Sequence, residues 1–381
     1  MLFLASLGLG LTPHQDDDLD IITLNVGQAD ATLFHANGTT LLLDTGAPLE
    51  EPERLGYRLL PVLEKLTGKR HLDYVLITHF HADHIGNPGR IRSRKPKQAG
   101  LFQLVNQLGV TVGTVLERGS WNLSTPTTTE THYRRHLKHW LKNEQVESVR
   151  IVNSGDSITL GRSTKIRIIS SSGNGYLDKL ARAFPDLKNE YPPSENDYSV
   201  SVKVEHGDFE FFAGGDLSGQ NVLRHFGPVG ISYVDMESHI ADRIGDIEVY
   251  RVNHHGSKNS SNPCFLEKIR PEVSLISSGN HNRYDHPDVN VFFRLKNFGD
   301  VFITDGAGKS MQAFPRSLDQ AVVGDDIWIK VQKGASSFLV NDRPYPIKKE
   351  SDELQPSELP CHDLELKRFT TEVITDPRPH D

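Results

Sequence analysis

Three short apolar runs set the first pattern along the chain. Ile21-Ile22-Thr23-Leu24-Asn25-Val26 and Ala31-Thr32-Leu33-Phe34-His35 flank a turn at Gly27-Gln28-Ala29-Asp30. Asn37-Gly38 then gives a hairpin signal before Thr40-Leu41-Leu42-Leu43. Three strands so close together predict that a sheet forms at once. Beyond Arg54 the period changes, because Leu55, Leu59, Leu60, Leu63 and Leu66 fall at helical spacing and the pattern stops at Gly68. Pro61 inside it predicts a kink or a restart. The run Tyr74-Val75-Leu76-Ile77 predicts the next strand.

From 88 to about 155 the pattern is less regular, apart from a basic helix predicted over 133–141. A second β-rich half begins near Val149, with strands predicted at 165–169, 199–205, 209–213, 248–253 and 273–277 and helices between them. A late hairpin is predicted over 327–331 and 337–340. After Lys348, Glu, Asp, Pro and Ser dominate, which predicts a tail that is mobile or lies across the surface.

Composition narrows the class. With 36% hydrophobic and 24% charged residues among 381, the chain reads as a globular protein able to bury a sizeable core. A formal net charge of -8 argues against coating nucleic acid by bulk electrostatics, although a local basic patch stays open. The two cysteines, Cys264 and Cys361, predict neither a disulfide framework nor a thiolate metal site, so a metal would be held by nitrogen and oxygen. The apolar start, Met1 to Leu11, has no basic residue before it and no clear cleavage site. A cytoplasmic protein is therefore expected, with a secreted or periplasmic one as the alternative. No run reaches the roughly 18 apolar residues that span a bilayer, so no integral membrane segment is expected.

The chemistry concentrates in Thr78-His79-Phe80-His81-Ala82-Asp83-His84, directly after a predicted strand. Four polar side chains there would need partners in a core, yet they suit one wall of a metal site. His79 and His81 are two apart, so on an extended backbone they point the same way and can share one cation. Asp83 and His84 follow the turn and can address a second cation about 3.5–4 Å away. An anionic bridge is then needed, and Asp216, behind Phe209-Glu210-Phe211-Phe212-Ala213-Gly214-Gly215, fits it. In Val252-Asn253-His254-His255-Gly256-Ser257, His254 is assigned to the metal and His255 to substrate or proton work. The competing readings are a surface histidine cluster, an ordinary Gly-Gly-Asp turn and a buried structural histidine pair.

Taken in order, these pieces resemble the metallo-β-lactamase superfamily. Asn25-Val26-Gly27-Gln28-Ala29-Asp30-Ala31, Leu43-Asp44-Thr45-Gly46, Asn196-Asp197-Tyr198-Ser199-Val200 and Asn282-Arg283-Tyr284-Asp285-His286-Pro287 narrow the likeness to the hydrolase domain of ComEC-type competence proteins. The likeness runs from about Ile21 to Gly306. It implies an α/β layered fold, the αββα sandwich, with insertions and a C-terminal extension. It also implies one cation on His79 and His81, another on Asp83, His84 and His254, and Asp216 between them. Where many relatives place a further histidine, this chain reads Ser194-Glu195-Asn196-Asp197, as the ComEC-like branch does. The chain divides accordingly into an N-terminal segment (1–20, signal-like or disordered), a hydrolase domain (21–306), a hairpin-containing extension (307–345) and a polar tail (346–381).

The expected activity is hydrolysis by two divalent ions, zinc first and manganese second. A phosphodiester of nucleic acid or of a nucleotide-like ester is the leading substrate, and the basic loop Arg90, Arg92, Arg94, Lys95 and Lys97 supports it. A solvated charged face is the plainer reading of that loop and of the basic helix. Asp83 or Asp216 would orient water, and His255 or His286 would protonate the leaving oxygen. Asn196, Ser257, Tyr284 and Arg94 are the substrate-binding candidates. The competing functions are hydrolysis of a lactone, ester or β-lactam, and a non-catalytic binding module. Protein partners leave no trace in the sequence.

Overall fold

Two β-sheets face each other with helices on both outer sides, as a computed structural model describes for residues 17–48, 50–89, 97–120, 127–184, 190–226, 229–348, 361 and 370–374. The first sheet contains β1 (Leu19–Thr23), β2 (Thr32–Ala36), β3 (Thr39–Leu43), β4 (His71–Leu76), β5 (Thr111–Glu117) and β6 (Val146–Ile151) in chain order across the sheet. The second contains β7 (Ser157–Leu160), β8 (Thr164–Ser170), β9 (Ser201–His206), β10 (Phe209–Ala213), β13 (Val249–Arg251), β14 (Val273–Ile276) and β15 (Asp300–Ile303). A small third sheet joins β11 (Val222–Phe226), β12 (Val229–Tyr233) and β19 (Thr370–Ile374).

Strand alternation builds the layers. In β3, Leu41 and Leu43 enter the core between the sheets while Leu42 enters the outer core beneath α1 (Arg54–Thr67). In β10, Phe209, Phe211 and Ala213 face the first sheet and Phe212 faces the other way. A side-chain period of two thus places one strand in two cores, and the result is the αββα sandwich. Turn chemistry fixes the register where the sequence signalled it: Asn37 (φ 48°) and Gly38 (φ 75°) take the two left-handed positions between β2 and β3.

Several expectations are revised. Helix α1 runs through Pro61 as one assigned element. The basic helix is longer than expected, Thr128–Lys142, and is capped by Thr127, whose side chain accepts from Glu130 N. The irregular stretch holds β5 and β6, whose patterns were weak because Gly113 interrupts the first and the second is largely exposed. The 307–345 segment supplies β16 (Ile327–Val331), β17 (Ser337–Val340) and β18 (Arg343–Pro346), and β16 pairs with β1 all along its length. Cys264 and Cys361 do pair, with Cα atoms 5.5 Å apart, inside the range a disulfide needs. The tail is therefore tied to the body, and Thr370–Ile374 pairs in parallel with β11. Residues 1–16 lie outside the described residues. Among the described residues no helix is long and apolar enough to cross a membrane.

Candidate metal centre

The Thr78–His84 loop leaves the carboxyl end of β4 and is held from three directions. Asp44, at the end of β3, accepts from Thr78 N (2.8 Å) and Thr78 Oγ1 (2.8 Å), and its Oδ2 is 2.9 Å from His84 Nδ1. Backbone bonds from Thr45 N to His84 O (2.7 Å) and from Asp30 N to Asp83 O (2.9 Å) hold the far side. Gly46 is needed there, because a Cβ at that position would lie 1.7 Å from Asp83 O. From the turn that leads into β9, Glu195 accepts from Phe80 N (2.9 Å) and from Nε and Nη2 of the buried Arg118 guanidinium. These contacts hold the His84 ring and the backbone of the loop before any ligand is considered.

Asp216 follows β10 and divides the site. Its Oδ2 lies 3.9 Å from His79 Nε2 and 3.7 Å from His254 Nε2, and His79 Nε2 is 3.1 Å from His81 Nδ1. Its Oδ1 lies 3.1 Å from His84 Nε2 and 4.0 Å from His255 Nε2, and His255 Nε2 is 3.4 Å from Asp83 Oδ2. The structure thus brings together all six residues expected to bind metal, but it exchanges the neighbouring histidines. His255 stands beside Asp83 and His84, whereas His254 stands on the side of His79 and His81. Backbone conformation explains the exchange: both residues are left-handed (φ 50° and 52°), so the chain coils after β13 and aims both rings inward.

That coil is held by buried Glu237, which accepts from Asn253 Nδ2 (2.9 Å), Ser261 N (2.7 Å) and Asn262 N (2.8 Å). Burial pushes the Glu237 carboxyl up to about 8, against those donors. His255 Nδ1 is 2.8 Å from Ser277 O, which places its proton on Nδ1 and leaves the Nε2 lone pair turned toward Asp83 and Asp216.

The donor set fits metal ions. Asp83 Oδ1 and His255 Nε2 are buried side-chain atoms with no hydrogen-bond partner, a rare and costly condition unless a ligand completes them, and His84 Nε2 faces Asp216 Oδ1 at 3.1 Å beside them. Burial works against charge on Asp216, yet the surrounding histidines hold its carboxyl well below the usual range. Burial also holds His79 well below its ordinary value and His254 down to about 4, so both imidazoles are neutral and able to donate a lone pair.

Asp30 also lies within ligand spacing of His84, Asp216 and His255. It approaches their Nδ1 atoms, however, at 3.6 Å in both cases, and forms a buried ion pair with Arg251. We assign it to orienting the two rings from behind. It sits in the Gly27-Gln28-Ala29-Asp30 turn, where strand-end placement was the available signal. Asp30, Asp44 and Glu195 stand in motifs quoted from the sequence without a role of their own, and Arg118 and Glu237 were not marked at all, because each acts through a partner distant in the chain.

The cleft above this cluster is lined by Gln28, Asn196, Arg224, Tyr233, Ser257 and Tyr284 among others, with no aliphatic side chain in its wall among the described residues. Asn196 Nδ2 is 3.3 Å from His254 Nε2. His286 lies over the histidine pair, its ring 6.1 Å from His255 and 5.7 Å from Tyr284, and Gln28 Nε2 reaches its Nδ1 at 3.4 Å. Burial keeps the His286 ring well below its ordinary pKa. Of the candidate residues, Arg94 alone lies outside the described ones.

Comparison with known proteins agrees with this geometry. Residues 24–109 match the Metallo-beta-lactamase superfamily. The matched segment ends past the His79–His84 cluster and includes Asp30 and Asp44. The chain is 24% identical over 305 residues to ComE operon protein 3 of Bacillus subtilis, and 24% identical over 277 residues to Recombination protein 2 of Haemophilus influenzae. These alignments cover 76% and 72% of the chain but only 32% and 26% of those proteins, so the chain spans about a third or less of each relative. The metallo-beta-lactamase fold protein YhfI of Bacillus subtilis aligns over 77% of the chain and 98% of its own, at 14% identity and a TM-score of 0.41. The chain thus joins a segment matching the Metallo-beta-lactamase superfamily and ComEC-like relatives to an αββα sandwich and a candidate metal cluster of aspartates and histidines.

Proposed function

We propose that this protein is a phosphodiesterase that works with two divalent cations, zinc or manganese, on nucleic acid or a nucleotide-like ester. His79, His81 and Asp216 would hold one cation, and Asp83, His84, His255 and Asp216 the other. When bound, such ions acidify a water and neutralise charge developing on phosphoryl oxygens. The chain's own groups do the positioning. Asp44 and Asp30 orient the histidine rings, and Asn196 and Tyr284 flank the space above Asp216. His286, over the cleft and kept neutral by burial, is placed to hydrogen-bond the leaving oxygen.

The observation that carries the reading is Asp216, whose Oδ2 faces His79 and His254 and whose Oδ1 faces His84 and His255, all within 4.0 Å. The polar cleft wall, with Arg224 and Lys258, suits an anionic ester better than a lactone or β-lactam, which would favour an apolar pocket. The name Recombination protein 2 accords with a nucleic-acid substrate. We also infer an oxidising compartment, secreted or periplasmic, because a structural disulfide persists there and not in a reducing cytosol.

The test is hydrolysis by metal-loaded protein of bis-p-nitrophenyl phosphate, single-stranded DNA, a lactone and a β-lactam. Cleavage of the first two is expected, lost on chelation and in His79→Ala. Opening of the lactone without any phosphodiester cleavage would overturn the reading.

A further inference from the structure

Two neighbouring histidines enter the site, and they face different oxygens of one carboxylate. His255 Nε2 lies 4.0 Å from Asp216 Oδ1, the oxygen that also meets His84, whereas His254 Nε2 lies 3.7 Å from Oδ2, the oxygen that also meets His79. Both backbones are left-handed, at φ 50° and 52°, a conformation that non-glycine residues adopt at a cost. Strain at two consecutive positions is accounted for if both rings have a ligand to meet. The backbone also ties His254 to the carboxylate: His254 N donates to Gly215 O (3.0 Å), directly before Asp216, and Ser257 N donates to His254 O (2.8 Å).

On the Oδ2 side the other nitrogens are His79 Nε2 and His81 Nδ1, 3.1 Å apart. With Asp216 they make three protein donors, and zinc in a closed site takes four. His254 Nε2 is the further nitrogen facing the same oxygen. Its neighbour in the protein is Asn196 Nδ2 at 3.3 Å, longer than the roughly 2.9–3.0 Å usual for such a bond, so this contact is weak enough for a cation to replace. The ring lacks the support that Ser277 O gives His255, because His254 Nδ1 is buried without a hydrogen-bond partner. A ligand without that support holds metal less tightly.

We propose that His254 is the third imidazole on the first cation, with His79, His81 and Asp216 Oδ2, and that this cation is the more weakly held of the two. It rests on the two-cation reading above and assigns a ligand which that reading leaves open. Adjacent histidines then serve different cations, one to each side of Asp216.

The test titrates zinc, and separately manganese, into the full chain after stripping with a chelator. Wild type, His254→Ala, His254→Asn and His255→Ala are compared by calorimetry and by metal content. Wild type should take up two ions per chain at two distinct affinities. His254→Ala should weaken the lower-affinity event by more than the roughly 10- to 100-fold that loss of a supporting group costs, and leave the tighter event in place. His254→Asn, which tolerates a left-handed backbone, should fall between. His255→Ala should strike the tighter event instead. Two ions held by His254→Ala at wild-type affinities would overturn the assignment, and so would loss of the tighter event in that variant or a wild type that binds a single ion. Should both His254 variants fail to fold, anomalous diffraction from wild-type crystals grown with zinc decides alone. The peak beside His79 and His81 is expected against His254 Nε2 as well, and a peak there with His254 still on Asn196 overturns the proposal. Two ions bound through His254 without cleavage of bis-p-nitrophenyl phosphate would sink the phosphodiesterase reading and leave this assignment standing. Cleavage by wild type together with unaltered ion binding in His254→Ala would do the reverse.

Discussion

At the scale of single residues, the site depends on side chains that never face the cleft. Asp30 sits behind His84 and His255 and is paired with Arg251, which is 1% exposed and whose pKa burial pulls down to about 9. Removing one member of such a pair leaves a buried charge alone. Asp30→Ala should therefore lower unfolding stability by about 3–5 kcal/mol, read by urea denaturation. Asp30→Ala combined with Arg251→Met should recover much of the loss, because the double change removes both charges. If Asp30→Ala left the urea midpoint in place, the pair would have no structural role. Asp44 and Glu195 act similarly on His84 and on the Phe80 backbone, which is why a reading of ligands alone misses half the site.

At the scale of elements, legibility followed periodicity. Strands β1 to β4 and β10 were visible as apolar runs, and the histidine loop was visible because it ends one of them. Strands β5 and β6 were obscured, the first by Gly113 and the second by its exposure. For His254 and His255 the expected and observed placements differ for a local reason. A strand continued through 248–253 would put His254 and His255 on opposite faces, but β13 stops at Arg251 and two left-handed residues turn both rings inward. Nothing in the letters His-His-Gly announces that coil. The carboxylate that holds it, Glu237, lies in a different part of the chain.

Tail attachment was equally hidden, since two cysteines 97 residues apart give no spacing to read. The bond joins Cys361 to Cys264 in the helix Pro263–Ile269, and the strand Thr370–Ile374 follows it. Closing a loop of that length stabilises the folded state by roughly 2–4 kcal/mol. Cys361→Ser should lower the denaturation midpoint accordingly and speed amide exchange in Thr370–Ile374 and β11, with the paired core of the two sheets unaffected. Two free thiols in the unreduced, denatured protein would show that the bond does not form.

At the scale of the whole molecule, two sheets pack face to face and both deliver strand ends to one edge. The first sheet contributes His79, His81, Asp83 and His84 after β4, and the second contributes Asp216 after β10 and His254 and His255 after β13. The αββα arrangement was legible through family resemblance, whereas the meeting of those strand ends is a property of the packed sheets. The late strand β16 extends the first sheet against β1 and is followed there by β17 and β18, so Ile327–Pro346 belongs to the body of the fold.

The central claim is that Asp216 divides two cation sites, with His255 in the second. Anomalous diffraction from crystals grown with zinc or manganese tests it most directly. Two peaks are predicted, one beside His79 and His81 and the other beside Asp83, His84 and His255, with Asp216 reaching both. A single peak, or a second peak held by His254 in place of His255, would contradict the account.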